Sequence, residues 1–148
     1  MAVNGAASYV GVQLGAYLAR FIQGHWLLAS YSVIGAGLGL GLFLTSGISF
    51  FWAEVFFFIQ LFIFGASLTV LPTIALYNHG SEAGTASSLL GVFNFTFASL
   101  ISGTYFLLRT TVTADLGILI GLLYGVSFFT LMLISRPWQL PDLRKADV

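Results

Sequence analysis

The sequence predicts an all-α integral membrane protein, and three observations carry that prediction. Only 7% of the 148 residues are charged, 58% are hydrophobic, and the mean hydropathy is +0.98. A soluble domain carries about 25% charged residues to cover a water-facing surface, so the solvent that suits this chain is the bilayer. Charged and turn residues also cut the chain into five apolar segments of about 20 to 28 residues, and a helix needs about 20 residues to cross ~30 Å of hydrocarbon. Finally, the alternating pattern of barrel strands is absent. Only helices and closed barrels satisfy their backbone groups in lipid, so the segments are helices. They fall near residues 2–20, 26–45, 50–77, 82–108 and 115–135 of one membrane domain, with a tail at 136–148.

The same composition excludes several functions. A net charge of zero argues against nucleic acid as a partner. The absence of cysteine removes disulfides, thiolate metal sites and cysteine catalysis. There is no P-loop, H-E-x-x-H or Ser-His-Asp arrangement, and no nucleophile beside a base at depth, so neither enzyme activity nor a cofactor is expected. His25 and His79 read as loop histidines with no carboxylate or cysteine near them, so no metal site is expected. No basic residue precedes a short apolar core at the N-terminus, which argues against a cleaved signal peptide.

The first span is rich in small residues, with Gly11 and Gly15 on one face, Gln13 and Tyr17 on another, and Arg20 at its end. The second holds Gly35, Gly37, Gly39 and Gly41, two overlapping small-xxx-small pairs that let helix backbones approach closely. This pattern is not a dinucleotide loop: it is not G-x-G-x-x-G, and no strand precedes it. The third span is dominated by phenylalanine from Phe50 to Phe64. At about 28 residues it would measure roughly 42 Å, so it tilts, kinks or overshoots. Pro72 is its expected kink or end, because proline removes a backbone donor and clashes with the preceding turn.

Gly80, Ser81 and Glu82 then read as a helix end, an N-cap and a first-turn acid. In the fourth span Gly84, Ser87, Ser88, Gly91, Asn94 and Ala98 share one small, polar face. The fifth has Gly117, Gly121 and Gly125 spaced by four, which read as packing positions, and the chain leaves the membrane at Arg136-Pro137-Trp138.

Basic residues give the orientation. Arg20, Arg136, Arg144 and Lys145 fall on one side of a five-span arrangement and Arg109 on the other. The first side is therefore cytoplasmic, with the N-terminus outside and the C-terminus inside. Trp26, Trp52 and Trp138 all fall at span ends, where interfacial anchors belong. Repeat-built transporters usually have an even number of spans, so an odd number predicts at least one missing helix before Met1 and a fragment or truncated product.

Ala83-Gly84-Thr85-Ala86-Ser87-Ser88-Leu89, followed by Gly91 and Phe95, resembles the start of the eleventh helix in Bcr/CflA-type drug-efflux transporters of the major facilitator superfamily. Phe51-Trp52 and Ser135-Arg136-Pro137 are similar to the opening of the tenth helix and the close of the twelfth. The resemblance covers essentially the whole chain as helices eight to twelve, an incomplete half-bundle. It implies a multi-pass protein of a bacterial inner membrane that, with its missing N-terminal helices or a partner subunit, exchanges small amphipathic drug-like compounds for protons. Gly15, Leu18, Ala19 and Arg20 fit the loop pattern after the eighth helix only loosely, and the basic residues that follow it in the family are depleted here.

The candidate site residues each keep two readings. Glu54, the one acid placed inside a span, is a proton or cation site or an interfacial glutamate. Gln60 and Asn94, near the middle of adjacent spans, line a substrate cavity or hydrogen-bond between helices. Ser87 and Gly91 line a conduit with Gly84, Thr85 and Ser88, or form a packing face. Pro72 kinks a gating helix or terminates it. The Asn94-Phe95-Thr96 glycosylation pattern lies too deep to be used.

Overall fold

The computed structural model describes residues 2–45, 47, 50–76, 82–107 and 113–138. Among these every regular element is helical: α1 (Ala2–Leu18), α2 (Gly24–Thr45), α3 (Phe50–Leu76), α4 (Ala83–Leu107) and α5 (Thr113–Thr130), which runs into a π-helical turn at Leu131–Ser135. The five predicted spans are these five helices. Four of them, α2 to α5, are long and apolar enough to cross a membrane. α1, with 17 residues, is the shortest of the described α-helices, and it rises about 26 Å.

Helices α1, α3, α2 and α5 form a row in which each packs against the next. The contacts fix their directions. Ser8 of α1 donates to the Leu61 carbonyl (3.3 Å), and Thr69 of α3 donates to the Val12 carbonyl (3.1 Å). Position numbers rise together along this pair, so α1 and α3 are parallel. Along α2 and α5 they run oppositely, from Ser32 beside Ser127 to Gly39 beside Gly121, and Gly41 against Phe56 with Gly24 against Ile74 makes α2 antiparallel to α3. α1, α3 and α5 therefore run one way and α2 the other, and α1 lies within the same layer as the rest of the row.

Glycine sets the interhelical distances, because lipid tails offer apolar helices no hydrophobic reason to associate. At Gly11 a Cβ would strike the Phe62 carbonyl oxygen, and at Gly15 it would lie 2.5 Å from the Ala66 oxygen. Gly65 sits equally close to the Ser8 backbone. Between α2 and α5 a Cβ at Gly39 would lie 2.5 Å from the Gly121 nitrogen, and one at Gly117 2.6 Å from the Phe43 nitrogen. Gly37 has nothing within 4 Å. It lies two residues, or about 200°, from Gly35 and Gly39 and so faces away from α5.

Gly125 departs from the expected packing role, with nothing within 4 Å. A four-residue repeat advances about 40° beyond a full turn, and by Gly125 the stripe has rotated off α2. The main apolar core, Leu27, Tyr31, Ile63, Ala66 and Val70, lies between α2 and α3. His25 departs from its loop reading: the helix begins at Gly24, two residues earlier than the span read from sequence, and carries His25 into a buried position.

Pro72 lies inside α3, which continues to Leu76, so it does not end the helix. It deprives the Leu68 carbonyl of its usual donor, and Thr73 one residue on donates its hydroxyl to the Thr69 carbonyl (2.9 Å). At the other terminus the Arg136 N–H reaches the Leu131 carbonyl (3.1 Å) with Arg136 in a left-handed conformation (φ 43°), and buried Pro137 follows as a stop. Trp26 and Trp52 stand in the first turns of their helices, and Trp138 lies just beyond the π turn. His79, Gly80, Ser81, Arg109, Arg144 and Lys145 lie outside the described residues.

α4 stands apart from the row. It touches α3 sparingly, and its side chains are mostly exposed.

Candidate functional site

Polar side chains inside an apolar bundle are costly unless they are paired, so those at depth mark the places where chemistry can occur. Gln60 lies ten residues into α3, about 15 Å from its start. It is 7% exposed and within hydrogen-bonding reach of the Tyr124 hydroxyl on α5, while its Oε1 has no partner. Tyr124 reaches it because position 35 is glycine: a Cβ on Gly35 would lie 2.5 Å from Cδ1 of the tyrosine ring. Three helices thus make this junction, with α2 contributing only an absence.

About two turns along α3 toward Leu76 the junction opens into a cavity of about 370 Å³ between α2, α3 and α5. Five hydroxyl-bearing residues line it: Ser32, Ser67, Tyr124, Ser127 and Thr130. Ser32 is buried and lies 3.4 Å from Ser127, Oγ to Oγ. Ser67 donates to the Ile63 carbonyl of its own helix (2.9 Å), which leaves its oxygen free to accept.

The other expected site residues fall elsewhere. Asn94, Ser87 and Gly91 lie on α4, with Asn94 and Ser87 exposed and nothing within 4 Å of a Cβ at Gly91. Ser88 beside them donates to the Gly84 carbonyl (2.7 Å). Gln60 and Asn94 are therefore not brought together, and the small polar face of α4 packs against nothing among the described residues. Glu54 is exposed in the second turn of α3, where it accepts a hydrogen bond from Nδ2 of Asn4 (3.0 Å). An exposed polar pair holds little energy. Glu54→Gln is expected to move the unfolding midpoint by less than about 0.5 kcal/mol equivalent, read by denaturing-detergent titration; a larger loss would show that the pair anchors α1.

A second space, about 420 Å³, separates the end of α4 from the start of α5. Leu100, Ile101 and Tyr105 face Ile118, Leu119 and Leu122 across it, with Asp115 at one end. Its walls are nearly all apolar, as expected of a gap between splayed helices.

Sequence reasoning found Gln60 but missed Tyr124, Ser32 and Ser127. A single hydroxyl in an apolar helix carries little signal, because its own i−4 carbonyl can satisfy it. The usable clue was Gly35 facing an aromatic residue, which requires the helix pairing. Compared with family models, with curated proteins and with solved structures, the chain finds no match. The chain is a multi-pass, all-helical membrane protein by its elements.

Proposed function

We propose that this chain is the C-terminal part of a proton-driven multidrug efflux transporter, equivalent to helices eight to twelve, and that it works only with the helices that complete the bundle. The observation that carries this reading is the division of labour among the helices. The glycine-patterned α2 and α5 pack on each other through Gly39, Gly117 and Gly121. The A-G-T-A-S-S-L face of α4, which the resemblance puts in the central half-bundle, is left uncovered. The exposed Asn94 amide near the middle of α4 calls for a polar partner or a water-filled path, because lipid offers neither. In transporters built from repeats, two bundles rock about a midplane site between them, and α4 with Gln13 and Tyr17 of α1 would present to that site.

Appended in frame to the first seven helices of a Bcr/CflA-type transporter, the chain is expected to support proton-driven dye efflux from proteoliposomes. A chimaera that inserts at normal levels and does not pump would sink the reading. The 148 residues alone are expected to give no efflux. The uncovered α4 face also fits a non-transporting interaction protein, and a monodisperse homo-oligomer without efflux in either format would favour that.

A further inference from the structure

The hydroxyl-lined cavity between α2, α3 and α5 lies inside the row of packed helices, away from the α4 face, and it has the attributes of a ligand site in its own right. Its volume of about 370 Å³ greatly exceeds the ~30 Å³ share of one water and falls in the range of small-molecule pockets, roughly 300–1,000 Å³. Ser32, 5% exposed, and the Gln60 amide behind Tyr124 are buried polar groups with hydrogen-bonding capacity left over. Buried capacity of this kind costs free energy until a partner supplies what water would.

The chemistry of the wall selects the partner. Among the described residues no charged side chain lines the cavity, so a buried ion would find no counter-charge there and pay its full desolvation. Ser67 can only accept, since its proton is committed to the Ile63 carbonyl. Ser32 and Ser127 share one proton between them and retain a second to donate. A matching head group must therefore both donate and accept. Leu28, Leu71 and Leu131 complete the wall and call for an apolar body. Ser127, Thr130 and Leu71 are exposed, which leaves the cavity open at its side.

We propose that this cavity binds a small uncharged amphiphile with a hydroxyl or amide head, held by Ser32, Ser67 and Ser127. The site does not depend on the efflux reading, since it is complete within α2, α3 and α5.

The chain contains no cysteine, so Ser127→Cys carries its only thiol. In detergent micelles the rate of N-ethylmaleimide labelling is measured with 2-phenylethanol as ligand and with ethylbenzene, its analogue without the hydroxyl. At about ten times its Kd, 2-phenylethanol is expected to slow labelling about tenfold by simple occupancy, and ethylbenzene to leave it unchanged. Thr130→Cys, at the open side, is expected to show the same pattern. Val126→Cys, exposed on α5 and outside the cavity, is expected to respond to neither compound. Equal slowing by both compounds would mean apolar partition without recognition and overturns the proposal. So does an unchanged rate at Thr130→Cys, which keeps Ser32, Ser67 and Ser127 intact and would leave the cavity to water, and so do thiols at 127 and 130 that never label, which would mean a closed seam.

Discussion

Gly39→Val is expected to separate α2 from α5. The added Cβ would lie 2.5 Å from the Gly121 nitrogen, 2.8 Å from its Cα and 2.9 Å from the Gly117 oxygen. All three are backbone atoms, so no rotamer change relieves the overlap and the helices themselves must move apart. Overpacking costs about 1–3 kcal/mol where side chains can adjust; with backbone on the far side, about 3 kcal/mol or more is expected. Gly37→Val is the matched control, since nothing lies within 4 Å of that position, and its effect should stay within about 0.5 kcal/mol. Unfolding in mixed micelles, followed by helical circular dichroism against denaturing detergent, compares the two. Equal stabilities would mean that α2 and α5 do not pair through this face.

Tyr124→Ala should be the next most damaging change, at about 3 kcal/mol. Two losses combine. The ring fills the space over Gly35, and removing it leaves a cavity. In soluble cores such truncations cost about 3–5 kcal/mol, but a bilayer lacks the water-transfer part, so the lower end applies. The hydroxyl also leaves the Gln60 amide without its neighbour, at about 0.6–2 kcal/mol. Tyr124→Phe isolates the second loss and should cost about 1 kcal/mol. Combined with Gln60→Leu, Tyr124→Phe should cost less than the sum of the single changes, because the orphaned amide is gone. Strict additivity in that double-mutant cycle would refute the contact.

The helices were legible because each is long, apolar and bounded by residues that lipid rejects. Their pairing was legible only in part. Spacing by four identified Gly39, Gly117 and Gly121 as packing positions, but it could not say that Gly37 faces away or that Gly125 has rotated off the seam. Both depend on which neighbour lies at which angle, a tertiary fact. Gln60 stood out as an amide at depth, whereas its partner Tyr124 looked like one aromatic among many. Asn94 stood out for the same reason as Gln60, yet the two differ: Gln60 is buried between helices and Asn94 is exposed on α4. Chemical type predicts that a residue is unusual in lipid, and only the arrangement of helices decides what satisfies it.

The parallel pairing of α1 with α3 sets an order of assembly. α1 is the least apolar of the five helices, and it finds its seat on Phe62, Gly65 and Ala66 only once the chain has crossed the layer twice more. The roughly 60 residues between Leu18 and the end of α3 take about 3–12 s to synthesise at 5–20 residues per second. During that interval α1 must be held in place by something other than its partner. Substitutions at Gly11 or Gly15 therefore act on biogenesis: the cell would see a nascent chain in which α1 slips out of place, well before any finished protein exists to be unstable.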